Sequence, residues 1–279
     1  MIVVTGATGN VGRPLVQMLA DAGEQVTALS RRAPGGLPEG VRHVPVDLTN
    51  VAELAPAVRG ASALFLLLGP GAFGADVPAI LAAARAEGVS RVVLLSSQGV
   101  ATRPDSASHG QFGKSVEVAV QESGLEWTLL RPSGFQSNAL WWAEQVRGER
   151  AVSAPFGDVG VPFVDPEDIA AVAAAALRQD GHAGRMYVLT GPVPESPRER
   201  VRVLGEVLGE PVRFVEQSPR EAREAMLRQM PADAADTTLA ILGSPTAEEL
   251  RISPDVEHVL GRAPRPFAAW AQRNIAAFR

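Results

Sequence analysis

Several residue types are scarce or missing in this 279-residue chain, and each absence closes off a chemistry. Cysteine is absent, which excludes disulfides, thiolate metal sites and cysteine nucleophiles. Tyrosine occurs once, as Tyr187, and lysine once, as Lys114, so a reaction needing either has a single candidate for each. The four histidines are scattered with no pair at helical spacing, so no imidazole metal site is expected. The most apolar stretch, Ala61 to Gly69, is less than half of what a membrane helix needs. No basic segment followed by a long apolar run opens the chain, so no secretory signal is read and a soluble cytoplasmic protein is expected. A net charge of -5 argues against a nucleic-acid surface.

What is present begins at residue 2. Ile2-Val-Val-Thr is a short β-branched strand, and it runs directly into glycines at positions 6, 9 and 12 ahead of a helix. In that context the glycines have separate tasks. Gly6 permits the strand-to-helix turn, Gly9 removes a side chain that would block a pyrophosphate, and Gly12 lets the helix approach the sheet. The amides from Asn10 to Arg13 then face an anion at the positive end of the helix dipole. Thr8 and Val11 complete this loop.

Apolar runs and helical patterns alternate through the first two thirds of the chain, the mark of βαβ units on a parallel sheet. Strands are read near 2–5, 25–29, 42–46, 62–68, 91–96, 126–130 and 186–189. Helices are read near 10–22, 50–58, 76–87, 110–123 and 167–178, with Gly23 and Gly124 as stops and Asp165-Pro-Glu-Asp168 as an acidic helix start. Beyond Gly191 the pattern turns mostly helical, at Pro194–Leu208 and Pro219–Met230, with only Val212–Val215 extended. The fold class is therefore α/β, a doubly wound parallel Rossmann sheet. Residues 1–134 plus 163–191 form the dinucleotide-binding domain; 135–162 plus 192–279 form a small, mostly helical substrate lobe.

In a NAD-selective site an acidic residue ends the second strand and holds the ribose hydroxyls. Here that strand ends in Ser30-Arg31-Arg32. A hydroxyl and two guanidiniums suit a 2′-phosphate, which favours NADP(H) over NAD(H), although solvated loop charges are the plainer account of the arginines. Asp47, with Leu48 beside it, closes the third strand. It can accept from the adenine amino group, cap the following helix, or both.

The segments Thr5–Gly12, Val46-Asp47-Leu48, Leu94–Ser97, Ser123–Pro132 and Val164–Ala170 together resemble the NmrA-like branch of atypical short-chain dehydrogenases/reductases. The resemblance runs to about Pro192. It implies strand order 3-2-1-4-5-6-7, with NADP(H) across the carboxyl edge. It also implies Leu67, Leu68 and Gly69 on the adenosine-ribose side, and Ser96, Ser97 and Gln98 beside the nicotinamide. Pro132 to Phe135 would then cover the nicotinamide from the substrate lobe.

Members of the wider family reduce carbonyls with a Tyr-x-x-x-Lys pair on the helix after strand five, the tyrosine giving the proton. Counting back from Ser123-Gly124, the equivalent positions here are Gly113 and Glu117, so the usual relay is missing. The remaining chemical candidates are three. Ser97 could bond a substrate carbonyl or the carboxamide, and Glu117 could accept from the ribose hydroxyls. Lys114 could touch cofactor or substrate from about 100° round the helix. His109 reads as an exposed loop residue that would become an acid only if its loop folded over the site. The lone tyrosine, Tyr187, lies on a strand and reads as core.

A glycine at position 113 makes room for a bulky substrate, walled by Phe135, Trp141, Trp142, Phe156, Phe163, Met226 and Met230. Hydride delivery to a quinone or extended aromatic also needs less help from a protein acid. The leading expectation is an NADPH-dependent reductase of a quinone or aromatic, polyketide-like small molecule. A non-catalytic NAD(P) sensor acting through a protein partner, and a tailoring component of aromatic polyketide biosynthesis, are the alternatives. A homodimer is compatible with all three.

Overall fold

Nine strands are present among the described residues: β1 (Ile2–Thr5), β2 (Val26–Ser30), β3 (Arg42–Pro45), β4 (Ala63–Leu66), β5 (Arg91–Leu95), β6 (Glu126–Pro132), β7 (Ala151–Ala154), β8 (Arg185–Leu189) and β9 (Arg213–Glu216). The structure is a computed structural model, and it describes all residues except 33, 34, 70, 71 and 73. Seven strands form one sheet in the order β3-β2-β1-β4-β5-β6-β8. The pairs from β3 across to β6 are parallel, with Ile2 opposite Val26 and Ala63, and Val92 opposite Trp127. This is the expected order. The last place belongs to β8 because an unforeseen strand, β7, pairs with β9 in a separate two-stranded sheet.

The chain divides into two units. The first comprises Met1–Ser97, Gly113–Arg131 and Pro166–Val188. Its central strands β1 and β4 are buried along their whole length, as strands covered by helices on both faces must be. Helix Gly12–Asp21 lies against helix Pro166–Arg178, and helix Val51–Val58 against helix Val77–Ala86. The run of alanines in Pro166–Arg178 keeps that helix thin, so Val172, Ala173 and Ala176 are fully buried. Tyr187 is core, as expected, its hydroxyl 2.8 Å from His182 Nδ1.

The second unit comprises Gln98–Phe112, Pro132–Asp165 and Leu189–Arg279. The segment Gln98–Phe112 thus groups with the lobe, whereas the expected division left it with the nucleotide-binding domain. Val146, Val152, Leu204, Phe267, Trp270 and Phe278 form this unit's core, with the Trp270 ring stacked on Phe267 at 5.4 Å. Three of its helices open on reciprocal caps, Ser196 with Glu199, Ser218 with Glu221 and Thr246 with Glu249. The first cap sets the helix start at Pro197 rather than Pro194. No helix among the described residues is long and apolar enough to cross a membrane.

Candidate cofactor site

Because β1 to β6 run parallel, their carboxyl ends gather along one edge of the first unit, where open α/β sheets bind ligands. At the centre of that edge is the glycine loop. Gly6 sits at φ +62°, and a Cβ added there would lie 2.9 Å from Leu67 Cδ2. The Thr5 hydroxyl donates to the Phe65 carbonyl at 3.1 Å and accepts from the Leu67 amide at 2.7 Å, tying the ends of β1 and β4 together. A Cβ on Gly12 would lie 2.2 Å from the Gly6 carbonyl oxygen, so only glycine lets the helix start this close to the loop. On Gly9 an added Cβ would meet nothing nearer than that same oxygen at 3.3 Å.

The helix begins at Gly12, two residues later than its pattern suggested. The Arg13 amide is also taken, bonded to the Gly9 carbonyl at 3.0 Å, which corrects the expectation that it faces an anion. Among the described residues, the amides of Val11 and Gly12 at the helix opening have no backbone partner. Thr8, Gly9 and Asn10 are exposed around them. A cradle closed to side chains and lined by unpaired N–H groups fits a diphosphate.

On the β2 side, Arg31 and Arg32 are exposed. Ser30 is not available as expected. Its hydroxyl donates to the Arg32 carbonyl at 2.7 Å and also lies 3.0 Å from His43 Nε2. A hydroxyl has one proton, so the imidazole N–H is the donor in the second contact. His43, on β3, was missed by the sequence reading because nothing in Arg42–Pro45 marks it; its role appears only when the strands pair. Asp47 closes a turn, accepting from the Thr49 amide at 3.0 Å and the Thr49 hydroxyl at 2.8 Å. These bonds, helped by Arg31, hold its carboxyl below the usual range. It does not cap the helix: Asn50 occupies the N-cap position. Leu48, Leu67, Leu68 and Gly69 are half-buried along this stretch.

The far side of the edge holds the largest departure from expectation. Glu117 is 1% exposed and cannot reach out to a ribose. Its carboxylate accepts from Arg131 Nε at 2.8 Å and Nη2 at 2.5 Å, and from the Ser96 hydroxyl at 2.5 Å. Helix Phe112–Glu122 supplies the carboxylate, β6 the guanidinium, and the turn after β5 the hydroxyl. Gly113 is half-buried one turn before Glu117, and Lys114 is exposed. Ser97 follows Ser96 and is half-buried.

The remaining candidates lie in the second unit, and most are packing groups there. Gln98 is buried with its amide donating to the Glu248 carbonyl at 3.0 Å. Pro132 is buried and Phe135 half-buried, the latter bridged to Val164. Phe163 packs onto Gly134, where an added Cβ would lie 2.5 Å from its ring. Phe163 and Trp142 also flank the Arg200 guanidinium, at 4.4 and 5.0 Å. Burial of Arg200 among these rings and Phe267 pushes its pKa down to about 10. Phe156, at φ +56°, fills the space above Gly243. Trp141 is 53% exposed, while Met226 and Met230 are half-buried around the end of helix Pro219–Met226. Phe163, Trp142 and Phe156 thus pack within the lobe, as large apolar groups with small neighbours usually do. His109 is half-buried, not exposed, with Nδ1 2.9 Å from the Ser108 hydroxyl, and desolvation lowers its pKa. No group of residues that could hold a metal is found among the described residues.

Residues 6–180 match the sequence profile of a family described as NAD(P)H-binding, a span that covers the glycine loop and strands β2 to β6. The chain belongs to that NAD(P)H-binding family. NAD(P)H is accordingly the cofactor of the site described above. Over its full length this family member is 40% identical to the (4-alkanoyl-5-oxo-2,5-dihydrofuran-3-yl)methyl phosphate reductase of Streptomyces griseus, spanning 99% of that protein. It is 33% identical to an NAD(P)H azoreductase of Xenophilus azovorans, again over 100% of this chain and 99% of the relative. The NADPH-dependent quinone oxidoreductase of Escherichia coli, crystallised with NADPH, shares the fold at a TM-score of 0.79 and 22% identity. That match covers 98% of this chain and 99% of the other.

Proposed function

We propose that this protein is an NADPH-dependent reductase whose substrate is a small molecule with an electron-poor conjugated π system. The observation that carries this reading is the state of Gly113, Glu117 and Ser96. The first has no side chain to give a proton, the second is sealed in an ion pair, and the third has its proton bonded to that carboxylate. A substrate that needs a protein acid at the hydride-accepting centre is poorly served by such a site.

Conjugated acceptors supply their own activation. A bound reduced nicotinamide supplies the hydride. An unsaturated lactone or a quinone that accepted it would take the displaced electron pair on its own carbonyl oxygen, where water would supply the proton, so no acid from the chain would be needed. The named substrate of the 40% identical relative is a ring-unsaturated lactone bearing an acyl group, and the 33% identical relative is named for an azo group; both are conjugated acceptors. The chain's own contributions are binding and orientation. The amides of Val11 and Gly12 would hold the diphosphate, Arg31 and Arg32 would select the 2′-phosphate, and Ser97 would meet the substrate or the carboxamide.

Oxidation of NADPH should be followed by absorbance with an acyl-butenolide phosphate, a quinone, an azo dye and an unconjugated ketone. Turnover is expected with conjugated acceptors and not with the simple ketone. Turnover of the simple ketone would overturn the reading. The same lack of a proton donor favours a second reading, a non-catalytic dinucleotide sensor. Tight NADPH binding without turnover of any acceptor would select it.

A further inference from the structure

We infer that Glu117 and Arg131 are positioning residues that fix the Ser96 hydroxyl as a hydrogen-bond acceptor for the carboxamide N–H of the nicotinamide ring. This inference rests on the cofactor reading above. It adds the orientation of one end of the dinucleotide.

The direction of each bond follows from the groups present. Arginine has only donors, and it meets both carboxylate oxygens of Glu117 in the side-on, bidentate arrangement. The carboxylate therefore acts as acceptor throughout, and the Ser96 contact at 2.5 Å is an O–H donated to it. Ser96 has no second proton, so its oxygen can only accept from a ligand. The pair is also rigid. Glu117 is 1% and Arg131 12% exposed, so solvent does not compete for the geometry.

The place of this trio decides which part of the ligand it meets. A dinucleotide on a doubly wound sheet lies across the switch point, with its two halves over the two halves of the sheet. With the diphosphate at β1 and the 2′-phosphate cations at the end of β2, the nicotinamide half belongs over β4 to β6. Ser96 follows β5 and is half-buried, its own amide bonded to the Leu130 carbonyl at 2.8 Å. The donors of that half are the carboxamide N–H and the ribose hydroxyls, and only the amide reports on the orientation of the ring. An acceptor-only oxygen therefore sets which way the amide lies, and so which ring face is presented.

The test compares NADP⁺ with its 3-acetylpyridine analogue, in which a methyl ketone replaces the amide and the N–H is gone. Binding of each to the full-length protein is measured by calorimetry. Wild type should favour NADP⁺ about tenfold, the scale of one amide hydrogen bond. Ser96→Ala should reduce that preference to near unity while leaving the affinity for 2′,5′-ADP unchanged. Glu117→Gln should also shrink the preference, because Arg131 donates to both carboxylate oxygens, so the glutamine NH2 must face an arginine donor and the Ser96 bond loses its fixed geometry. If Glu117→Gln does not fold, Ser96→Ala, which leaves the Glu117–Arg131 pair intact, carries the test alone. An equal preference for NADP⁺ in wild type and Ser96→Ala would overturn the inference. If wild type binds neither compound, the cofactor reading itself falls.

Discussion

At the β2 end of the carboxyl edge, Arg31 and Arg32 stand in solvent, and their turn is held by one hydroxyl bonded to a carbonyl and an imidazole. At the β5–β6 end, Arg131 is locked side-on to a buried carboxylate. The same residue type thus does opposite work at two ends of one sheet. An exposed guanidinium keeps its donors for an incoming anion and is screened by salt. A buried one has its donors satisfied inside the fold, and what it contributes is geometry. Removing the first should change which ligand binds; removing the second should change whether the protein folds and how the ligand lies.

The most severe break of this contrast is Arg131→Met. It strands the Glu117 carboxylate without its cation, and a loss of ~3–5 kcal/mol of stability is expected. Thermal or urea unfolding would show it, and a stability within 1 kcal/mol of wild type, on the scale of roughly ordinary surface substitutions, would contradict the buried-pair account. Next comes Gly12→Ala at the midpoint of the edge. The new Cβ would lie 2.2 Å from the Gly6 oxygen, so loop and helix must separate. NADPH affinity should fall about 100-fold, ~2.7 kcal/mol, by calorimetry.

At the exposed end the expected effects are smaller and selective. Arg31→Ala combined with Arg32→Ala should weaken NADPH about tenfold, barely change NADH, and flatten the salt dependence of NADPH binding. Equal loss for both coenzymes would show that these arginines are ordinary loop charges. The smallest effect belongs to His43→Ala, which loosens the Ser30–Arg32 turn without touching a ligand. An NADPH-specific loss of about threefold is expected, restored by His43→Gln, whose amide can donate to Ser30 in place of the ring.

These two ends were not equally legible before folding. The glycine loop, the strand sequence and the Ser30-Arg31-Arg32 run were readable because they rest on local rules: φ at Gly6, strand periodicity, and charge type after a strand. The strand at Ala151–Ala154 was not, since four residues without alternation carry no periodic signal and its partner β9 is some sixty residues away. Helix Ala247–Leu250 did carry a signal, the Thr246-Ala-Glu-Glu249 cap, that a closer reading would have found. The packing partners of the aromatic groups were not legible either, for a physical reason. Phe163, Trp142 and Phe156 meet Gly134, Arg200 and Gly243, which are 29, 58 and 87 residues away in the chain. No local pattern reports contacts of that range.

From sequence alone came the nucleotide-binding class, the ladder of parallel strands and the loss of a tyrosine proton donor, because each depends on residue identity at a fixed local spacing. The partners of the site's polar groups were settled only by packing. Glu117 looks the same on a helical wheel whether it reaches for a ribose or accepts from Ser96 and Arg131. That choice was made when β5, β6 and the helix between them came together and shut water out from around the carboxylate.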